Sequence, residues 1–219
     1  MNNWLVFAIA FAATAAVLLA TVAANVYPRE PVHKPYWDNP QARQKIITDA
    51  SSIGVLASRG QQGVVVLGYR DQLNATNRAE LLTAIKEVLN AARGYTVYIA
   101  PWATDNATKA YLSLLYDGRL PLEDYLKGVV TNSTAISPRV EQALALAGTI
   151  AQTYGTYQPL GGAPQAQIPP IYVAVFRNDT SYVVYEPFTL GRDRTYTDWL
   201  QWVKTAFENL RQGQGKVTP

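Results

Sequence analysis

Residues Trp4 to Ala24 form an apolar run of 21 in which only Thr14 and Thr21 are polar. A helix needs about 20 such residues to cross a bilayer core, so the run predicts one N-terminal transmembrane helix. No charged residue lies in residues 1–27. No Lys or Arg precedes the run, as one would before a secretory signal, and the run is longer than a usual signal core. It therefore reads as an uncleaved anchor, with a signal cleaved after Ala23 or Ala24 as the rival reading. Membrane contact is expected through residues 4–26.

The side of the membrane is contested within the chain. Arg29, Lys34, Arg43 and Lys45 follow the apolar run and would be retained inside by the positive-inside tendency. Four sequons argue the opposite: Asn74-Ala75-Thr76, Asn106-Ala107-Thr108, Asn132-Ser133-Thr134 and Asn178-Asp179-Thr180. Composition alone would give about one such N-glycosylation acceptor in residues 28–219. The domain is therefore expected on the extracytoplasmic face, glycosylated at Asn74, Asn106, Asn132 and Asn178. An exported domain without disulfides points to an archaeal or thermophilic source.

The chain has no cysteine, one histidine (His33) and one methionine (Met1). Thiolate catalysis, iron–sulfur clusters and Cys-based zinc sites are excluded, and no metal or cofactor is expected. Charged residues make up 16% of the chain and the net charge is +3, spread too evenly for a nucleic-acid footprint. The densest charge knot, Arg192-Asp193-Arg194, reads as a solvated loop.

Four prolines (Pro28, Pro31, Pro35, Pro40) interleaved with Tyr36 and Trp37 make residues 28–40 a stiff tether, and 41–49 looks weakly helical. Gly63 to Leu67 is a continuous apolar run, as in a strand buried on both faces, and 53–56 is a shorter candidate strand. Asn77 and Glu80 have capping-box spacing before an amphipathic helix that Gly94 would close. Residues 95–100 read as a second strand, parallel to the first because a helix separates them. Helices follow over 109–116, 121–127 and from Pro138, the last capped by Ser137 and closed by Gly155. A hairpin is expected from strands 171–176 and 182–185, turning at 177–180. A final helix over 197–211 buries Trp199, Trp202, Val203, Ala206, Phe207 and Leu210. The 14 tyrosines and 5 tryptophans include strand positions Tyr95, Tyr98, Tyr172, Tyr182 and Tyr185, some expected to face outward for self-association or partner contact.

The order strand, helix, strand, helical block, Pro-Pro loop, hairpin, helix resembles the thioredoxin fold, and within it the DsbA-type disulfide oxidases. The likeness covers residues 63–211. It implies an α/β three-layer sandwich with a mixed sheet, a thioredoxin-like domain over 51–211 with a helical insertion at 104–155; the residues themselves add the N-terminal anchor over 1–27, a tether and short helix over 28–50, and a flexible tail at 212–219. It also places Pro169 in the family's cis-proline position, so Ile168, Pro169 and Pro170 become candidates for a peptide-binding groove. The family's Cys-x-x-Cys would fall between Gln72 and Asn77, where no thiol exists. Thiol–disulfide exchange needs a thiolate, so that activity does not carry over.

Tyr69, Arg70 and Asp71 follow the first strand at the end where open α/β sheets place ligands; the plainer reading is a solvated turn with Asp71 capping or pairing locally. The expected function is redox-inactive binding or scaffolding, as an accessory subunit of a membrane complex or an assembly factor for an exported client. A shallow apolar groove beside Pro169 would suit it. The alternative is a glycosylated envelope or filament subunit. A lesser alternative is a hydrolase using Asp71 or Asp105, which needs a deep polar pocket at the ends of strands 64–67 and 95–100.

Overall fold

The computed structural model describes residues 32–33, 39–154, 170–177, 181–184 and 196–212. The elements are β1 (Val32–His33), α1 (Pro40–Ile53), β2 (Val55–Ser58), β3 (Val64–Arg70), α2 (Arg78–Ala91), β4 (Thr96–Trp102), α3 (Asn106–Tyr116), α4 (Leu122–Leu126), α5 (Pro138–Tyr154), β5 (Ile171–Phe176), β6 (Ser181–Val184) and α6 (Tyr196–Arg211). The apolar run at 4–24, the tether from 28 to 31 and from 34 to 38, Gly155, the turn at 178–180 and the charge knot at 192–194 lie outside the described residues. Among the described residues no helix is long and apolar enough to cross a membrane.

The strands form one mixed sheet in the order β1-β6-β5-β3-β4-β2. Its centre is four strands, with β3 parallel to β4, and β5 antiparallel to both β3 and β6. The short strands β1 and β2 sit on the edges, each antiparallel to its neighbour. The parallel pair needs a crossover, and α2 supplies it. Strand β5, Ile-Tyr-Val-Ala-Val-Phe, is buried at all six positions. Both its faces are covered, which is why it reads as an unbroken apolar run rather than an alternation.

Side-chain alternation separates the two faces of β3. Val65, Leu67 and Tyr69 share one face; Val66 and Gly68 share the other. Helices α2 and α6 pack on each other, α5 packs on both α1 and α3, and α1 and α5 also lie against β4. Helix α6 reaches the residue before β4 through an edge-to-face contact of Phe207 with Tyr95, ring centres 5.8 Å apart. All six apolar positions expected to line α6 are buried.

Several local signals resolve differently from their sequence reading. Strand β3 runs on to Arg70, and β2 starts at Val55. Asn77 stands at the N-cap of α2 but makes no side-chain cap bond. The capping oxygens belong instead to Asn39 on α1 and Asp105 on α3. Gly94 does take a left-handed φ of 95°, in the turn beyond the end of α2. Tyr95 and Tyr172 are buried rather than turned outward.

Gly68 is set by a close approach. A Cβ there would strike the ring of Tyr172, its partner across the β3–β5 ladder. That ring also stacks on Trp102 at 5.9 Å, so it cannot easily withdraw. Gly68→Ala is expected to lower unfolding free energy by about 1–3 kcal/mol through overpacking. The Tyr172 hydroxyl is buried without a hydrogen-bond partner among the described residues. Tyr172→Phe keeps the stack and removes that hydroxyl, so it should be neutral or stabilising by up to about 1 kcal/mol. Urea unfolding of both variants checks the pair.

Candidate functional site

Strand β3 ends at Arg70, and the next residue turns inward. Asp71 is 0% exposed. Its amide continues the ladder by donating to the Trp102 carbonyl at 2.8 Å. A buried carboxylate is costly unless every oxygen is engaged, and here both are. The Gln72 amide donates to Oδ1 at 2.8 Å. Arg78, in the first turn of α2, donates Nε to Oδ1 at 2.8 Å and Nη2 to Oδ2 at 3.0 Å. Tyr125 of α4 donates its hydroxyl to Oδ2 at 2.9 Å and accepts from the Tyr69 hydroxyl at 3.1 Å.

The guanidinium of Arg78 is itself enclosed. It stands 5.2 Å from the ring centre of Tyr111 and 5.8 Å from that of Tyr125, within cation–π range. Burial pulls its pKa down, but the hydrogen bond and charge of Asp71 more than reverse this and hold it above the usual arginine value. Burial likewise raises Tyr69, Tyr125 and nearby Tyr116 well above an ordinary phenol. All three stay neutral donors through the physiological range.

The residues expected at 69–71 thus part company. Tyr69 and Asp71 belong to a buried polar cluster, not to a solvated turn. Arg70 is exposed: its amide donates to the Pro170 carbonyl at 2.7 Å, and Nη2 donates to Thr104 Oγ1 at 2.7 Å. Pro170 therefore abuts the end of β3. Ile168 and Pro169 lie outside the described residues. Asn74, Asn106 and Asn132 are exposed; Asn178 lies outside the description.

A cleft of about 70 Å³ opens beside the cluster, lined by Arg70, Gln72, Asn77, Arg78, Pro170 and Tyr196 among others. Five of its eight lining residues carry polar groups, yet the larger share of its exposed surface is apolar. It has room for a few waters or one side-chain tip. Asp105, the other carboxylate considered for catalysis, accepts the Thr108 amide at 2.8 Å as the cap of α3. Among the described residues no group of three or more His, Asp or Glu is placed to hold a metal ion.

Sequence reasoning missed Arg78, Tyr111 and Tyr125. Arg78 follows Asp71 by seven residues across an irregular turn, a spacing no motif marks, and Tyr125 comes from a separate helix. Comparison with known proteins adds nothing to this geometry: no family model, curated protein or solved structure matches the chain.

Removing one member of a buried, hydrogen-bonded ion pair strands the other charge, at about 3–5 kcal/mol. Asp71→Asn and Arg78→Ala should each lose that much in urea unfolding, and Tyr125→Phe about 1 kcal/mol. The double variant Asp71→Leu/Arg78→Met should recover most of the loss.

The buried phenols set the alkaline limit. Their folded pKa values lie above the free value of 10.0, and Tyr196 is pushed up to about 12, chiefly by burial. Their stabilisation is complete below pH 10 and is lost as pH rises towards and through the folded values, because the unfolded chain releases those protons first. Stability should therefore fall from about pH 10 upward. Absorbance at 295 nm should show the buried tyrosinates appearing only with unfolding.

Proposed function

We propose that the chain is a redox-inactive, thioredoxin-like binding or scaffold protein, held at the membrane by residues 4–26 with its domain on the extracytoplasmic face. The observation that carries this reading is the central strand order β4-β3-β5-β6. Strands β3 and β4 are parallel across α2, three helices follow β4, and the antiparallel pair β5–β6 precedes a terminal helix. That order supports the DsbA-type likeness, under which α3, α4 and α5 are the helical insertion and the sheet with its two helix groups a three-layer sandwich.

The family's cysteines would stand at the β3–α2 junction. Here that junction is Gln72 to Asn77, over the Asp71–Arg78 pair. A fully bonded ion pair fixes the junction but offers no nucleophile. The two carboxylates of the hydrolase alternative, Asp71 and Asp105, both hold structural hydrogen bonds, which favours binding over catalysis. The place of Pro170 against β3 favours the cleft edge as one docking element, within an accessory subunit or assembly factor.

Full-length protein recovered from its native membrane in mild detergent should bring a fixed set of membrane-complex subunits at constant stoichiometry, read by mass spectrometry. Recovery of the protein alone in large ordered assemblies would instead favour the envelope or filament alternative. Protease added to intact cells should remove the domain; a protected domain would overturn the outward placement.

A further inference from the structure

We infer that the end of the sheet where β3 and β4 finish is a glycan-bearing face, and that folding sorts its sequons: Asn74 and Asn132 stay acceptors on the folded domain, whereas Asn106 is an acceptor only before folding. The inference rests on the extracytoplasmic reading for the glycans to be made in the cell, but the sorting follows from the fold itself.

Two of the asparagines lie near each other, and the third follows a loop start anchored to the same helix. The Leu73 amide donates to Thr108 Oγ1 at 3.1 Å, so Asn74, the next residue, lies close to the first turn of α3, where Asn106 is exposed. Asn132 follows Val129 by three residues. The Val129 carbonyl accepts the Tyr111 hydroxyl at 2.6 Å, and the Tyr111 ring lies over Arg78. Asn74 and Asn106 therefore sit close together beyond the strand ends, and Asn132 lies on a loop whose start is tied to Tyr111.

An acceptor needs more than an exposed amide. The hydroxyl two residues on must be free, and the backbone must leave regular structure to enter the transferase. Asn132 meets both conditions. Residues 129–137 hold neither helix nor strand, and Asn132 and Thr134 are exposed. Asn74 meets them too, since it and Thr76 are exposed in the turn between β3 and α2. Asn106 does not. Thr108 is 1% exposed, its amide is bonded to the Asp105 carboxylate, and its hydroxyl oxygen is taken by Leu73. Presenting this sequon means unwinding the first turn of α3 and breaking both bonds. A glycan attached earlier would still project from the exposed Asn106 without disturbing the fold.

The transfer itself is a substitution without redox change. The asparagine amide nitrogen attacks the anomeric carbon of a polyprenyl-phosphate-linked oligosaccharide, and the carbon–oxygen bond to phosphate breaks. The polyprenyl phosphate leaves with its electron pair, and the amide proton passes to base. A glycan on Asn74 would stand at the mouth of the cleft, because the adjacent Ala75 lines it.

The test uses unglycosylated full-length chain, folded in mild detergent, incubated with an oligosaccharyltransferase and a lipid-linked oligosaccharide. Tryptic peptides of the same chain form the unfolded arm, and site occupancy is read by mass spectrometry. On the folded chain, Asn74 and Asn132 should be modified, with Asn106 lower by about tenfold or more, the cost of one helix cap and one buried hydrogen bond. All three peptides should be modified. Equal occupancy of Asn106 and Asn132 on the folded chain overturns the sorting, as do bare Asn74 and Asn132 there when their peptides are modified. Bare asparagines in protein from its native membrane, with both arms positive, overturn the outward placement and the glycan-bearing face but not the sorting.

Discussion

The Asp71–Arg78 pair joins three parts of the chain at one point. Asp71 ends β3, Arg78 begins α2, and Tyr125 comes from α4. Each buried charge costs several kcal/mol to desolvate, so the arrangement persists only because every acceptor and donor converges correctly. The carboxylate takes four hydrogen bonds, and the guanidinium lies against the adjacent rings of Tyr111 and Tyr125. A crossover helix must leave its strand at a defined angle, and the pair sets that angle without a tight glycine turn. The same contact holds α4 over the strand ends, which closes the sheet on that side.

The tyrosines play two parts. Some, such as Tyr95, fill space as large apolar bodies. Others bring a hydroxyl to an acceptor: Tyr125 to buried Asp71, Tyr116 to the buried Pro101 carbonyl at 2.7 Å, Tyr111 to the half-buried Val129 carbonyl. A phenol suits this role because it carries area and a donor on a stiff side chain. An abundance of tyrosine therefore marks a polar-stitched interior as readily as an adhesive surface.

Where periodicity is the signal, the sequence was readable. The apolar run at 63–67, the helical stripe of 199–210 and the six-residue strand at 171–176 all lie where their patterns put them. Burial on both faces or on one stripe is a local property of spacing. Capping was half legible: Asn77 had the right spacing but no bond, because the turn at 72–77 gives it a φ of −96° and ψ of 10°. The site was not legible. Asp71 looked solvated because its partners lie 7 and 54 residues away, and nothing in a single sequence announces such pairings. The groove expected around Pro169 was traceable only to Pro170, whose carbonyl continues the β3 ladder.

Strand β5 sits between β3 and β6, yet it comes from the last quarter of the chain. As the protein leaves the ribosome, β3 has β4 beside it but an open flank until residues 171–176 emerge. Translation proceeds at about 5–20 residues per second, so this edge stays unsatisfied for seconds after α2 and β4 have formed. The sheet cannot mature from its N-terminal end. A chain stopped before β5 carries an exposed apolar flank at its centre, open to pairing with any strand nearby. Completion of the chain is thus a condition for solubility of the part already made.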